Sequence, residues 1–194
     1  MKEDILEQIV DDYMQALGYF TIHNVKFRPA EDDPDAEKKQ DSSHSDVDVI
    51  GFHPGKKGDD KVWVVSCKSW QVGFNPEYWI NSIEQGKEVY GREAWRFFRE
   101  LKVPKWGRAL QAKVKEIAFT ERFTHITAVT KLNGEKSTWE KYQSFSENIN
   151  GNPTTILTLS DMLDEIWDKT GSTQASSEVG RLLQVIKASG WKIS

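Results

Sequence analysis

The stretch Asp46-Val47-Asp48-Val49-Ile50-Gly51 places two carboxylates one residue apart at the head of an apolar run. Side chains two apart on a β-strand share a face, so Asp46 and Asp48 point one way and Val47 and Val49 the other. A turn rich in Gly and Lys follows, and then a second apolar run, 62–67, that ends in Lys68. If the two runs pair as neighbours, Lys68 comes near Asp48. Ser66 shares the face of Lys68, and Cys67 points to the other side. A carboxylate and an ammonium at the ends of adjacent strands suit work on a phosphodiester. The carboxylate is an oxygen ligand of the kind that Mg²⁺ prefers. An ion held there polarises the ester and lowers the pKa of a bound water. The lysine then stabilises phosphate charge or orients the attacking water. Taken alone, the same pair also describes a surface salt bridge, which is worth little.

The elements that must position these residues follow from hydrophobic period. Ile5, Leu6, Ile9, Val10, Tyr13, Met14 and Leu17 recur at helical spacing, predicting a helix over 3–18 that stops at Gly18. Residues 19–28 are rich in β-formers and read as a strand. Residues 29–45 are polar, with two prolines, and read as a loop. Strands over 47–52 and 62–67 form the hairpin. From 76 to 101 the pattern reads as one long helix, with Trp79, Ile80, Ile83, Tyr90, Ala94, Phe97, Phe98 and Leu101 on one face. Pro104 and Gly107 interrupt it, and 108–117 reads as a second, short helix. A strand over 125–132, an irregular polar stretch over 133–152 and a strand over 154–159 come next. Ser160 reads as the N-cap of a helix that begins at Asp161. A linker, GSTQASS, leads to a last helix over 178–189. This order predicts an α/β sandwich with a mixed central β-sheet flanked by helices, not a regular βαβ array. The organisation expected is one domain over 1–170, with 171–194 a linker and C-terminal helix packed on it.

The chain has 194 residues, a formal net charge of −4 and one cysteine, Cys67. One cysteine excludes an intrachain disulfide and a zinc site built from several thiolates. No apolar run has membrane-helix length, and the opening MKEDILEQIV lacks the apolar core of a signal peptide. The expectation is a cytoplasmic protein with no membrane partner. Its charge is unevenly spread. Lys87, Arg92, Arg96, Arg99, Lys105 and Arg108 lie in a basic segment of this acidic chain, where a polyanion would find a face. Charge alone equally describes a solvated helix surface. Lys87 falls on the apolar side of the expected long helix, either snorkelling or pointing into a cleft. Gln71 sits close enough to Lys68 to touch a phosphate or the cleft rim. Cys67 reads as a buried strand residue whose backbone carbonyl remains a metal ligand candidate. His23, His44, His53 and His125 have no metal-site spacing and read as structural or solvent-facing.

The order helix, strand, "DVDVIG", strand, "VVSCKSW", helix, strand resembles the PD-(D/E)xK restriction-endonuclease-like nuclease superfamily. The branch it looks most like is that of Mrr-type restriction enzymes and archaeal Holliday-junction resolvases. The resemblance covers roughly residues 3–132. It implies a restriction-endonuclease-like sandwich and a metal-dependent DNA endonuclease using Mg²⁺, or Mn²⁺. The family's metal-binding aspartate corresponds to Asp48 and its catalytic lysine to Lys68. A glutamate that many relatives carry on the first helix corresponds to Glu7, with Glu3 as the alternative. Many relatives act as dimers, so a homodimer is part of the expectation. One position departs from the pattern. The acidic residue two before the lysine is Ser66 here, and a hydroxyl carries no charge for the ion. Asp46, Glu84 and Glu88 are the carboxylates that could take its place. The alternative is lost catalysis, leaving a nuclease-fold module that binds DNA or protein.

Overall fold

The computed structural model describes residues 4–37, 43–171, 175 and 177–191. The first helix, α1 (Ile5–Ala16), begins at Asp4, whose side chain accepts from the backbone N–H of Leu6. It buries Leu6, Ile9, Val10 and Met14, the stripe that its period requires. Strands β1 (Phe20–Phe27), β2 (Ser45–Phe52) and β3 (Val62–Lys68) form an antiparallel meander. Beyond β3 come α2 (Pro76–Glu84), the two-residue strands β4 (Glu88–Val89) and β5 (Arg92–Glu93), and the four-residue α3 (Arg99–Lys102). Then follow α4 (Pro104–Ala118), β6 (Thr124–Val129), α5 (Lys136–Glu140), α6 (Gln143–Asn148), β7 (Thr154–Thr158), α7 (Leu159–Lys169) and α8 (Glu178–Ala188).

The main sheet has the order β1-β2-β3-β6-β7, and β6 pairs in parallel with both β3 and β7. All six residues of β6 are buried, as a strand covered on both faces must be. One apolar cluster, with Leu6, Val10 and Met14 of α1, Met162 and Ile166 of α7 and Val179 and Leu183 of α8, covers one face. The other cluster gathers Trp79 and Ile83 of α2, Trp106, Leu110 and Val114 of α4, Trp139 of α5 and Phe145 of α6. The protein is thus an α/β fold with a mixed five-stranded sheet between two helical layers. Among the described residues, no helix is long and apolar enough to cross a membrane.

Four expectations about elements are corrected, the first being the short helix expected over 108–117 after an interruption at Pro104 and Gly107, which is α4, starting at Pro104 and running through Gly107. The single helix expected over 76–101 is five elements, with a 3-10 turn, Ala94–Phe97, between β5 and α3. Helix α2 ends at Glu84 with Gln85 as cap, and Gly86 follows at φ +60°. Tyr90 and Gly91 then take φ values of 50° and 76°, which turn the chain back as a tight β4–β5 hairpin. The apolar residues of this region match a helical period because each piece anchors separately in one aromatic cluster. The stretch 133–152 is not irregular: α5 and α6 form there, each fastened by one buried aromatic, Trp139 and Phe145. The cap of α7 is Thr158 rather than Ser160. Its hydroxyl accepts from Asp161 N–H while the Asp161 carboxylate accepts from Thr158 N–H, a reciprocal capping box.

Candidate active site

The β2–β3 ladder runs from Phe52↔Val62 to Val49↔Val65 and stops. One residue further, a side chain takes over the pairing: Asp48 Oδ2 accepts from the backbone N–H of Cys67 at 2.5 Å. Asp48 therefore sits, half-buried, where the pairing of two central strands ends. Burial pushes its carboxyl above the ordinary aspartate range, Lys68 and the Cys67 N–H pull it down, and Asp46 and Glu100 push it up again. Asp46 itself is exposed. Lys68 is half-buried, its ammonium 5.4 Å from the Phe98 ring centroid.

The start of α1 is tied to the same place. Asp4 Oδ1 caps the helix through Leu6 N–H at 2.9 Å, and its Oδ2 accepts from Ser69 Oγ at 2.5 Å. Glu7, in the first turn of α1, lies beside Cys67. Burial raises the Cys67 thiol pKa, and Asp48, Glu7 and Asp4 add to the effect. Cys67 packs against the cluster on the α1 face, as its alternation with Ser66 and Lys68 requires. Glu7 thus stands at the right end of the sheet but on the layer behind Cys67. Glu3 lies outside the described residues.

The carboxylate that faces Ser66 is Glu100 of α3. It is 4% exposed, and its Oε1 lies 3.1 Å from His125 Nε2 and 3.5 Å from Ser66 Oγ. His125, on β6, is fully buried. Burial would raise the Glu100 carboxyl, but His125 and then Lys68 outweigh it and hold the group below the ordinary glutamate range. The His125 Nδ1 has no hydrogen-bond partner among the described residues. The His125 Nε2 is the ring nitrogen that meets Glu100. Asp48, Lys68, Ser66, Glu100 and His125 make one polar group inside an otherwise apolar layer.

Sequence reasoning missed Glu100 because it lies inside the basic segment and on an element of four residues. What marks it is tertiary: Glu100 is buried between Phe98 and Leu101 and finds its partner, His125, on β6. The other replacements proposed for Ser66 stand apart. Glu84 accepts from Lys102 Nζ at 2.6 Å and Tyr142 OH at 2.5 Å, and Glu88 is exposed on β4. Lys87 is exposed after α2 and belongs to no helix face, which removes the snorkelling reading. Gln71 is exposed in the turn after β3.

The basic segment divides in two. Arg92, Arg96 and Arg99 lie flat on aromatic rings, their guanidinium carbons 3.8, 4.9 and 5.3 Å from the centroids of Phe97, Trp95 and Trp106. Arg108 is instead bound by Asp33 and Asp35, at 2.6 and 2.7 Å. Lys105 is buried beneath the same acidic loop, 3.3 Å from the Asp35 carbonyl oxygen and 3.4 Å from Glu37.

Asp48 and Glu100 are two carboxylates that both feel Lys68 and each other, oxygen donors of the type a hard cation takes. Among the described residues no group of three or more His, Cys, Asp or Glu side chains is gathered closely enough to hold a metal ion by itself. Mg²⁺ asks for less: it is usually held through one or two carboxylates, with waters and substrate phosphate completing its shell. Comparisons with protein-family models, with curated proteins and with solved structures returned no match for this chain.

Proposed function

We propose that the chain is a metal-dependent DNA endonuclease with a restriction-endonuclease-like fold, hydrolysing phosphodiester bonds with Mg²⁺ or Mn²⁺. One observation carries this reading: Glu100 supplies, from α3, the carboxylate that Ser66 cannot, on the side of the sheet that holds Asp48 and Lys68. The strand order and the motifs 45–51 and 64–70 support it.

Asp48 and Glu100 would hold the ion, with Asp46 and the Cys67 carbonyl at the edge of the same site and Glu7 behind it. When bound, Mg²⁺ polarises the phosphodiester and supplies a water of lowered pKa. Lys68 faces the negative charge that builds on the phosphoryl oxygens, and its half-buried setting strengthens that attraction. Ser66 and His125 hold the Glu100 carboxylate in one orientation. The Cys67 N–H does the same for Asp48 and keeps it ionised against burial. The arginines on β5 and the residues after it would take the flanking phosphates. A cytoplasmic homodimer is the assembly that brings two such sites to the two strands of a duplex.

The test is cleavage of supercoiled plasmid in Mg²⁺ and in Mn²⁺ by wild type, Asp48→Asn, Lys68→Ala and Glu100→Gln. Wild type is expected to nick or cut. Each variant is expected to lose at least about 10²-fold in rate, the usual cost of removing one charge-stabilising group. Cleavage by Asp48→Asn at the wild-type rate would remove the assignment. A wild type that binds DNA and never cuts it would leave the second reading, a nuclease-fold module without catalysis.

A further inference from the structure

The β4–β5 hairpin has a tip that folding does not explain. Tyr90 holds a positive φ of 50°, a conformation unfavourable for a bulky side chain, and its ring is 66% exposed. Hairpin turns of this shape ordinarily carry Asn or Asp before the glycine. Here an aromatic residue stands in the strained position and faces solvent. Behind it the ring touches Trp70 and Phe97 at centroid distances of 6.2 and 6.3 Å. Trp70 stacks in turn on Trp79 at 4.5 Å, and it lies two residues beyond Lys68. A continuous aromatic layer therefore runs from the candidate active site to the hairpin tip.

The cations around this layer are poorly neutralised. Arg92 lies over Phe97, its guanidinium carbon 3.8 Å from the ring centroid. Arg99 is pushed below the ordinary arginine value by burial and by Arg96 and Arg92, with Glu100 and Asp46 offsetting only part of that. Neither Arg92 nor Arg99 has an ion pair among the described residues, whereas Arg96 pairs with Glu93 at 3.0 Å. An exposed π-face bordered by uncompensated guanidinium groups is complementary to a base beside a phosphate. Inside a duplex the base faces are covered by their neighbours, so away from the duplex ends a ring at a narrow tip can stack only on an unpaired base.

We propose that the β4–β5 hairpin is a stacking element for an unpaired nucleotide of DNA. Tyr90 covers the base, and Arg92 and Arg99 take the adjoining phosphates. This rests on the endonuclease reading and narrows its substrate to DNA that is partly single-stranded next to the scissile bond.

The experiment is fluorescence anisotropy in EDTA, which prevents cleavage, with a blunt duplex and with the same duplex carrying a single-stranded overhang. Wild type is expected to favour the overhang. Tyr90→Asn, which suits the positive φ and so preserves the turn, is expected to lose about tenfold on the overhang and little on the blunt duplex. Tyr90→Phe is expected to bind both as wild type does. Arg92→Ala and Arg99→Ala are expected to weaken both DNAs and each to flatten the salt dependence by about one unit of slope. If Tyr90→Asn keeps wild-type affinity for the overhang, the stacking proposal falls and the endonuclease reading stands. If wild type prefers the blunt duplex, or an overhang made of RNA, the proposal falls in the same way. If wild type binds no DNA at low salt, both fall together.

Discussion

Asp48 is a residue whose place in the fold opposes its stability. Burial raises its carboxyl above the ordinary value of 3.8, so the folded state is penalised for ionising it. Between that value and the raised one, stability falls as pH rises, and above both the cost is complete. Asp48→Asn removes the charge but keeps an oxygen for the Cys67 N–H. It is therefore expected to raise the melting temperature at neutral pH while removing activity, by about 2–4 °C if the relief is near 1 kcal/mol. Mg²⁺ should raise the melting temperature of wild type and leave that of Asp48→Asn unmoved. Scanning calorimetry with and without the ion checks both. Glu100 behaves in the opposite sense. Its carboxyl lies below the ordinary 4.5, so its contribution is full above that value and is lost as pH falls through the lowered one. The melting-temperature gap between wild type and Glu100→Gln should thus be largest near neutrality and close in acid. A gap that widens in acid would mean that the carboxylate is not held by His125 and Lys68. The face of Lys68 was legible in the sequence through strand alternation, whereas alternation breaks at Asp48, since Val47 packs in one apolar cluster and Val49 in the other. Glu100 was not legible, because its meaning comes from His125, a residue on a distant strand.

Helix α3 carries Glu100 but is too short to hold itself in place. It is clamped instead by its neighbours. Asn148 Nδ2 donates to the carbonyls of Leu101 and Lys102 at 2.9 and 3.1 Å. Gly107 of α4 lets the chain come close, since a Cβ there would meet Asn148 O at 2.0 Å and Glu100 O at 3.1 Å. Both obstructions are backbone, so neither can rotate away. Gly107→Ala is expected to cost about 1–3 kcal/mol, the usual range for overpacking, and to lower the cleavage rate more than DNA affinity, because α3 moves with Glu100 and Arg99 while Arg92 and Arg96, outside α3, stay in place. Urea unfolding together with single-turnover kinetics would show this, and a variant as stable and as fast as wild type would disprove the clamp. The same region is where element reading failed. Strands β1 to β3 and helices α1 and α8 announce themselves by period and by cap. The segment between Gly86 and Val103 is held by tertiary aromatic packing around Trp70, Trp79, Phe97 and Phe98, which no local pattern displays.

At the scale of the molecule, the charge is arranged rather than merely summed. The net value of −4 hides a basic α4 that is covered by an acidic loop. Asp33 accepts from Arg108 Nε and Nη2 at 2.9 and 2.6 Å, and Asp35 accepts from the same Nη2 at 2.7 Å. Arg108 holds the Asp33 carboxyl below the ordinary aspartate range through this fork. These partners are some 70 residues apart in sequence and could not be paired by reading along it, so Arg108 and Lys105 looked like open cations when they are engaged ones. Within the basic segment Arg92 and Arg99 have no ion pair among the described residues, and they lie on the side of α3 that carries Glu100, where they concentrate attraction for a polyanion. Releasing Arg108 should spread it. The double variant Asp33→Asn, Asp35→Asn is expected to bind duplex DNA more tightly at low salt and to show a dependence of affinity on salt steeper by about one phosphate contact. Cleavage per bound complex should be unchanged, because neither aspartate touches Asp48, Lys68 or Glu100. Anisotropy titrations across a salt series measure the slope directly. An unaltered slope in a folded variant would mean that the acidic loop does not mask α4 and that phosphate contacts are confined to the hairpin side of the molecule.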